Sequence, residues 1–163
     1  MRVRGPEIPL DPDPEYLRLP ALAPDADPDT ADAYAAELCA EACDREVVHV
    51  VFLGEAGEQL SPAGRLHNAP RLPRAAELDQ FVDMLRHQGL RVRARQVVLV
   101  WQTPDDDITD RLGVETWALG LLDRMTGGPL ALRALWHRTP EGYFALVDSG
   151  LEFTTRPEPR TSR

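Results

Sequence analysis

A chain of 163 residues, 43% of them hydrophobic, can bury the core of one domain, and none of its apolar runs approaches the roughly 18 residues of a membrane span. Its formal charge of −9, from 27 acidic against 18 basic residues, argues against a general nucleic-acid binder, which needs a basic face, although a local basic patch stays open. Every basic residue is arginine, which excludes lysine Schiff-base chemistry, and the N-terminus lacks the apolar stretch of a secretory signal, so a cytoplasmic location is expected.

Residues 1–29 hold Pro6, Pro9, Pro12, Pro14, Pro20, Pro24 and Pro28 among aspartates. Proline fixes φ and has no amide donor, so this arm is expected to be extended, neither propagating a helix nor joining a sheet. Tyr16, Leu17, Leu19 and Leu22 are the side chains available to pin its middle to the domain or to a partner.

Asp29 or Thr30 can cap a helix running to about Asp44. Cys39 and Cys43, four apart, stack on one face of it. A lone pair at that spacing lacks the further ligands of a zinc site, and two core thiols are expected. Glu46–Leu53 is β-branched and apolar, as in a buried strand. Gly54–Gly57 then turns into a second strand around Gln59-Leu60, followed by a Pro/Gly-rich connection from Ser61 to Pro73.

The next segment turns Ala76, Leu78, Phe81, Val82 and Leu85 to one side of a helix that Gly89 stops. Arg91, Arg93 and Arg95 lead into a central strand at Gln96–Trp101. Thr109 or Asp110 opens a helix to about Met125, ended by Gly127-Gly128. Pro129–His137 and Tyr143–Val147 form an antiparallel pair, and the tail 154–163 is expected to be flexible. The resulting order, α-β-β-α-β-α-β-β over residues 30–153, predicts an α/β domain with helices on both sides of the sheet.

The strand exit Trp101-Gln102-Thr103-Pro104-Asp105-Asp106-Asp107 lies where α/β proteins often place their chemistry. It carries no strong base, nucleophile or soft metal ligand. His49, His67, His87 and His137 are scattered without a metal-binding spacing, and there is no phosphate loop or nucleophile elbow. The aspartates 105–107 with Asp110 suit a hard cation, or simply supply negative charge before a helix N-terminus. Arg91, Arg93 and Arg95 read either as a nucleic-acid patch beside Trp101 or as a solvated sheet edge.

The order of these strings resembles the JAB/MPN fold in its bacterial RadC-like branch, over residues 30 to 152. Asp44-Arg45-Glu46 leads into the apolar strand as in that family. Gly64-Arg65-Leu66-His67-Asn68-Ala69 is similar to its Gly-Thr-Leu-Asn-Ala segment, and Pro73-Arg74-Ala75 to its Pro-Arg-Glu helix start. Trp101-Gln102-Thr103-Pro104 stands where the family has His-Asn-His-Pro. Gly128–Arg133 and Glu141–Leu146 resemble its closing strands.

The resemblance implies a three-layer α/β fold, a mixed central sheet flanked by helices as in cytidine deaminases. Active members bind zinc through two histidines and an aspartate, and a glutamate activates the metal-bound water. Here Glu46 matches the glutamate, but Trp101 and Thr103 replace the histidines. The aspartate falls near Gly113–Glu115, where Glu115 does not fit the spacing. The expectation is therefore a non-catalytic domain without cofactor or metal, binding a protein or peptide through a vacated cleft lined by Trp101, Thr103 and Arg133. RadC-like proteins have been linked to DNA repair, which supplies a context for that role.

Two alternatives stay open: a hydrolase with a rearranged metal site of Glu46, Asp105, Asp107 and Glu115, and a nucleic-acid module using the three arginines. Trp101 itself is expected to be buried beside the Glu46 strand, its N–H bonded to Glu46 or Thr103. There it either plugs the old metal pocket or contacts the partner. Nothing in the sequence sets an oligomeric state.

Overall fold

A computed structural model of the chain describes residues 11–12, 19–38, 45–148 and 152–153. Seven strands form one sheet in the order β1-β3-β2-β4-β5-β6-β7. They are β1 (Asp11–Pro12), β2 (Val47–Leu53), β3 (Gly64–Leu66), β4 (Gln96–Gln102), β5 (Ala131–Thr139), β6 (Gly142–Asp148) and β7 (Glu152–Phe153). Only β4 and β5 run parallel; every other neighbouring pair is antiparallel. The parallel pair needs a long crossover, which is α3 (Ile108–Met125). The other helices are α1 (Pro28–Leu38) and α2 (Ala75–Arg91).

The unbroken apolar run of β4 is explained by burial on both faces. Val98 and Val100 point to the α1 side, where Ala31, Tyr34, Ala35 and Leu38 pack together with Leu19 and Leu22. Val97, Leu99 and Trp101 point to the opposite side, against α2 and α3. The α/β class with helices on both faces is therefore observed. Among the described residues no helix is long and apolar enough to cross a membrane.

Each helix start has a local cause. The Asp27 carboxylate accepts the Thr30 N–H at 2.7 Å, so α1 begins at Pro28, whose missing amide costs nothing in the first turn. Glu77 accepts the Arg74 N–H at 3.0 Å ahead of α2. Asp107 caps α3 by accepting the Asp110 N–H at 2.8 Å, a little earlier than the expected start at Thr109 or Asp110.

Several expectations are corrected. The arm does reach the sheet: Asp11 and Pro12 pair with Arg65 and Gly64, at an edge where a proline is tolerated. The strand expected at Gln59-Leu60 is reduced to a single bridge between Gln59 and Leu53. The real partner of β2 is β3, inside the stretch read as a connection. Ala76 is exposed rather than inward, because α2 buries Leu78, Phe81, Val82, Met84 and Leu85 on a narrower face. Leu19 and Leu22 are buried as pins. The Leu22 N–H bonds to the Gly57 carbonyl at 3.0 Å, and a Cβ at Gly57 would lie 1.8 Å from the Leu22 oxygen. Tyr16, Leu17, Cys39, Cys43 and the tail 154–163 lie outside the described residues.

Candidate functional site

At the exit of β4 the side chains alternate across the sheet. Gln102 turns to the α1 side, where its amide donates to the Arg45 carbonyl at 3.1 Å and its oxygen lies 3.4 Å from His49 Nε2. Trp101 turns to the α2–α3 side and is 4% exposed. Its ring centroid is 4.9 Å from that of Trp117 and 5.7 Å from that of Phe81, which are themselves 5.1 Å apart. The tilted geometry of the three rings suits their quadrupoles. Trp101 is thus a core residue, paired in register with Val48 of β2.

Thr103 is also buried, 2% exposed, and its hydroxyl makes two short contacts. One is to the Asp105 carbonyl at 2.7 Å, the other to His137 Nε2 at 2.8 Å. A carbonyl can only accept, so the single hydroxyl proton goes to Asp105. The oxygen then accepts from His137, which places a proton on Nε2. His137 has no exposure at all. Parallel register sets it beside Trp101, so β5 delivers the imidazole to the same end of the sheet. Sequence reasoning missed this contact because the two residues are 34 positions apart.

The loop after Thr103 is held by its own charges. Asp106 receives the Arg111 guanidinium through both oxygens at 2.9 and 2.8 Å. Asp110, inside the first turn of α3, is buried and meets Arg71 at 3.3 Å. Burial pushes its carboxyl above the usual aspartate range. The Arg71 charge opposes that rise, and the nearby negative charges of Asp107, Glu46 and Asp105 add to it. Gly113 lets the chain before α2 approach closely, since a Cβ there would lie 2.1 Å from the Arg71 carbonyl oxygen.

The residues expected to line one cleft do not converge. Glu46 sits at the same end of the sheet as Trp101 and Thr103 but is exposed, just before β2. Arg133 is at the other end, on the α1 side, buried where a bulge interrupts the β4–β5 register. There it donates to the Ala23 carbonyl at 3.4 Å. Because β5 runs parallel to β4, a residue near its start lies beside the start of β4 and not beside its exit, which is why Arg133 is far from Trp101 and Thr103.

The carboxylates Glu46, Asp105, Asp107 and Glu115 do not assemble a metal site. Among the described residues no group of three or more His, Cys, Asp or Glu could hold an ion. Arg91, Arg93 and Arg95 are exposed at the far end of the sheet from Trp101. They do not alternate along a strand. Arg91 ends α2, Arg93 takes a left-handed φ of 58°, and Arg95 precedes β4.

An open cavity of about 160 Å³ lies between β3 and the two helices. Leu66, Phe81 and Trp117, all buried, form its floor, and His67, Asn68 and Gln80 stand at its rim. The Trp117 indole N–H donates to the Pro70 carbonyl at 2.8 Å, fixing one wall. Trp101 stacks against Phe81 and Trp117, so it supports the cleft without lining it. An apolar floor with a polar rim is the kind of lining that takes an apolar group of a ligand.

Against protein-family models, curated proteins and solved structures, the chain finds no match.

Proposed function

We propose that this chain is a non-catalytic domain of the JAB/RadC-like type that works by binding a segment of another protein. The seat for that segment is the cleft floored by Leu66, Phe81 and Trp117. The observation that carries the reading is the state of the β4 exit. Trp101 and Thr103, at the positions where the resembled family ends its strand in metal-binding histidines, are both buried. One is stacked into the aromatic core and the other is bonded to His137. Neither indole nor a hydroxyl already engaged twice is a zinc ligand of the usual kind. A DNA-repair setting rests on the resemblance alone.

The direct test is retention of a partner from extracts of the source cell by the wild-type chain and by Gln80→Arg and His67→Glu. Both changes lie at the exposed side of the cleft. The reading expects a specific protein retained by wild type and lost from both variants, while all three chains unfold at the same temperature. Retention that neither variant weakens overturns the placement of the seat. One equivalent of zinc per chain after chelator-free purification overturns the non-catalytic reading.

A second reading is supported by three exposed guanidinium groups within five residues, at Arg91, Arg93 and Arg95. Phosphate contacts by these side chains would give DNA binding that weakens steeply with salt. No salt-dependent shift with duplex or single-stranded DNA removes it.

A further inference from the structure

The cleft floored by Leu66, Phe81 and Trp117 opens beside β3, on the side of the sheet where β1 pairs. Asp11 lies opposite Arg65 and Pro12 opposite Gly64, in antiparallel register. Carried back past Asp11, the same register sets Leu10 opposite Leu66 and Ile8 opposite Asn68. Leu66 and Asn68 both line the cleft. Residues 1–10 lie outside the described residues, so their direction of entry comes from the two paired residues that follow them.

The pleat decides which of their side chains meet the cleft. Directly opposed residues of an antiparallel pair share a face, and successive residues of a strand alternate between faces. Leu66 turns toward α2 and α3, where it packs in one core with Phe81 and Trp117. In this register Leu10 and Ile8 turn the same way, while Pro9 and Glu7 turn the other. The two apolar branched side chains of Glu7-Ile8-Pro9-Leu10 are thus the two aimed at the apolar floor.

Reach and size agree with that placement. Three residues of strand span about 10 Å, which brings Ile8 level with Asn68 at the rim. An apolar cavity of about 150 Å³ holds one benzene, so the cleft of about 160 Å³ takes one branched aliphatic side chain. Backbone pairing cannot close over it. Asn68 takes a left-handed φ of 62°, which ends the extended run of β3, and Pro9 has no amide to donate. Ile8 is therefore held by its side chain, a contact that a competing side chain can displace.

We propose that Ile8, backed by Leu10, is the resident occupant of the cleft, so that the chain caps its own seat and an outside segment binds by displacing it. This cap rests on the reading of the cleft as a seat and adds its regulation.

Nuclear magnetic resonance of the full chain with labelled isoleucine methyl groups tests it. The chain has two isoleucines, Ile8 and Ile108, and Ile108 is exposed on α3, so the two signals separate readily. The Ile8 methyl groups should show nuclear Overhauser contacts to ring protons of Phe81 and Trp117. Ile8→Asp should abolish them and shift the Trp117 indole signals, with the amide signals of β5 and β6 unmoved. Ile8 methyl groups without contact to either ring overturn the proposal, as do Trp117 signals that Ile8→Asp leaves in place. Retention from cell extract, repeated with Ile8→Asp, separates this cap from the binding reading. Ring contacts present, with no protein retained by either chain, remove the outside partner and keep the cap. Ring contacts absent, with a protein retained by wild type and lost from Gln80→Arg and His67→Glu, remove the cap and keep the seat. With both correct, Ile8→Asp should bind the retained protein about tenfold or more tightly than wild type, since a tethered competitor acts at roughly millimolar effective concentration. Equal binding by the two chains overturns the displacement.

Discussion

Replacing Trp101 by alanine removes the indole that joins the end of β4 to both helices. An aromatic side chain of this size buries roughly 150–250 Å², and at about 25 cal/mol per Å² its removal, less what alanine retains, costs ~3–5 kcal/mol. That matches the usual range for truncating a core aromatic, in which part of the loss is the cavity left behind. Collapse is hindered here because Phe81 and Trp117 are also packed against each other at 5.1 Å. A domain of this size commonly has about 5–15 kcal/mol of stability in total, so the variant should unfold at a much lower urea concentration. Circular dichroism is the right signal, since the substitution removes one of the fluorescent indoles. A Trp101/Trp117 double-mutant cycle should show a coupling of ~0.5–1.5 kcal/mol. A Trp101→Ala chain within about 1 kcal/mol of wild type would refute the assignment of this side chain to the α2–α3 core.

Thr103→Val leaves the His137 Nε2 proton without its hydroxyl acceptor in a fully buried place, and should cost ~1–3 kcal/mol in urea unfolding; Thr103→Ser should recover most of it. Gly113→Ala forces the Arg71 backbone away from α3 and should cost ~1–3 kcal/mol, while leaving far-ultraviolet circular dichroism unchanged. Asp110 is held above its ordinary range chiefly by burial, so the folded chain binds this proton more readily than the unfolded one. Its contribution to stability is therefore full at acid pH and declines as pH rises from about 4 through its raised value. Asp110→Asn should flatten that decline in melting temperature against pH, and parallel curves for the two chains would contradict the cause given.

The strongest elements were legible because their periodicity is set by burial. The β-branched run 47–53 and the apolar run 97–101 can only be buried strands, and α2 shows its inward face at Leu78, Phe81, Val82 and Leu85. Short edge elements were not legible. β3 holds only Gly64, Arg65 and Leu66, too few for a pattern, and β1 contains a proline that argues against any strand by local rules alone. The burial of Trp101 could be read from its place at the end of an apolar run. The partners of Thr103 and the position of Arg133 could not. Both depend on β5 lying parallel to β4, a pairing that leaves no trace in residue spacing. The cleft was out of reach for the same reason, since its floor takes one residue from each of three distant segments.

The pairing of Asp11–Pro12 with β3 also bears on how the molecule avoids sticking to its own kind. A bare sheet margin offers a row of unpaired amides and carbonyls on which another chain can add as a strand, the first step toward fibrils. Among the described residues that margin ends in Asp11 and Pro12, one of which has no amide hydrogen to offer. The strand beneath them is only three residues long. Asp11 and Pro12 therefore act as a stopper on that side of the sheet. A chain shortened past residue 12 would expose Gly64–Leu66, and its failure would be slow precipitation rather than loss of the native fold.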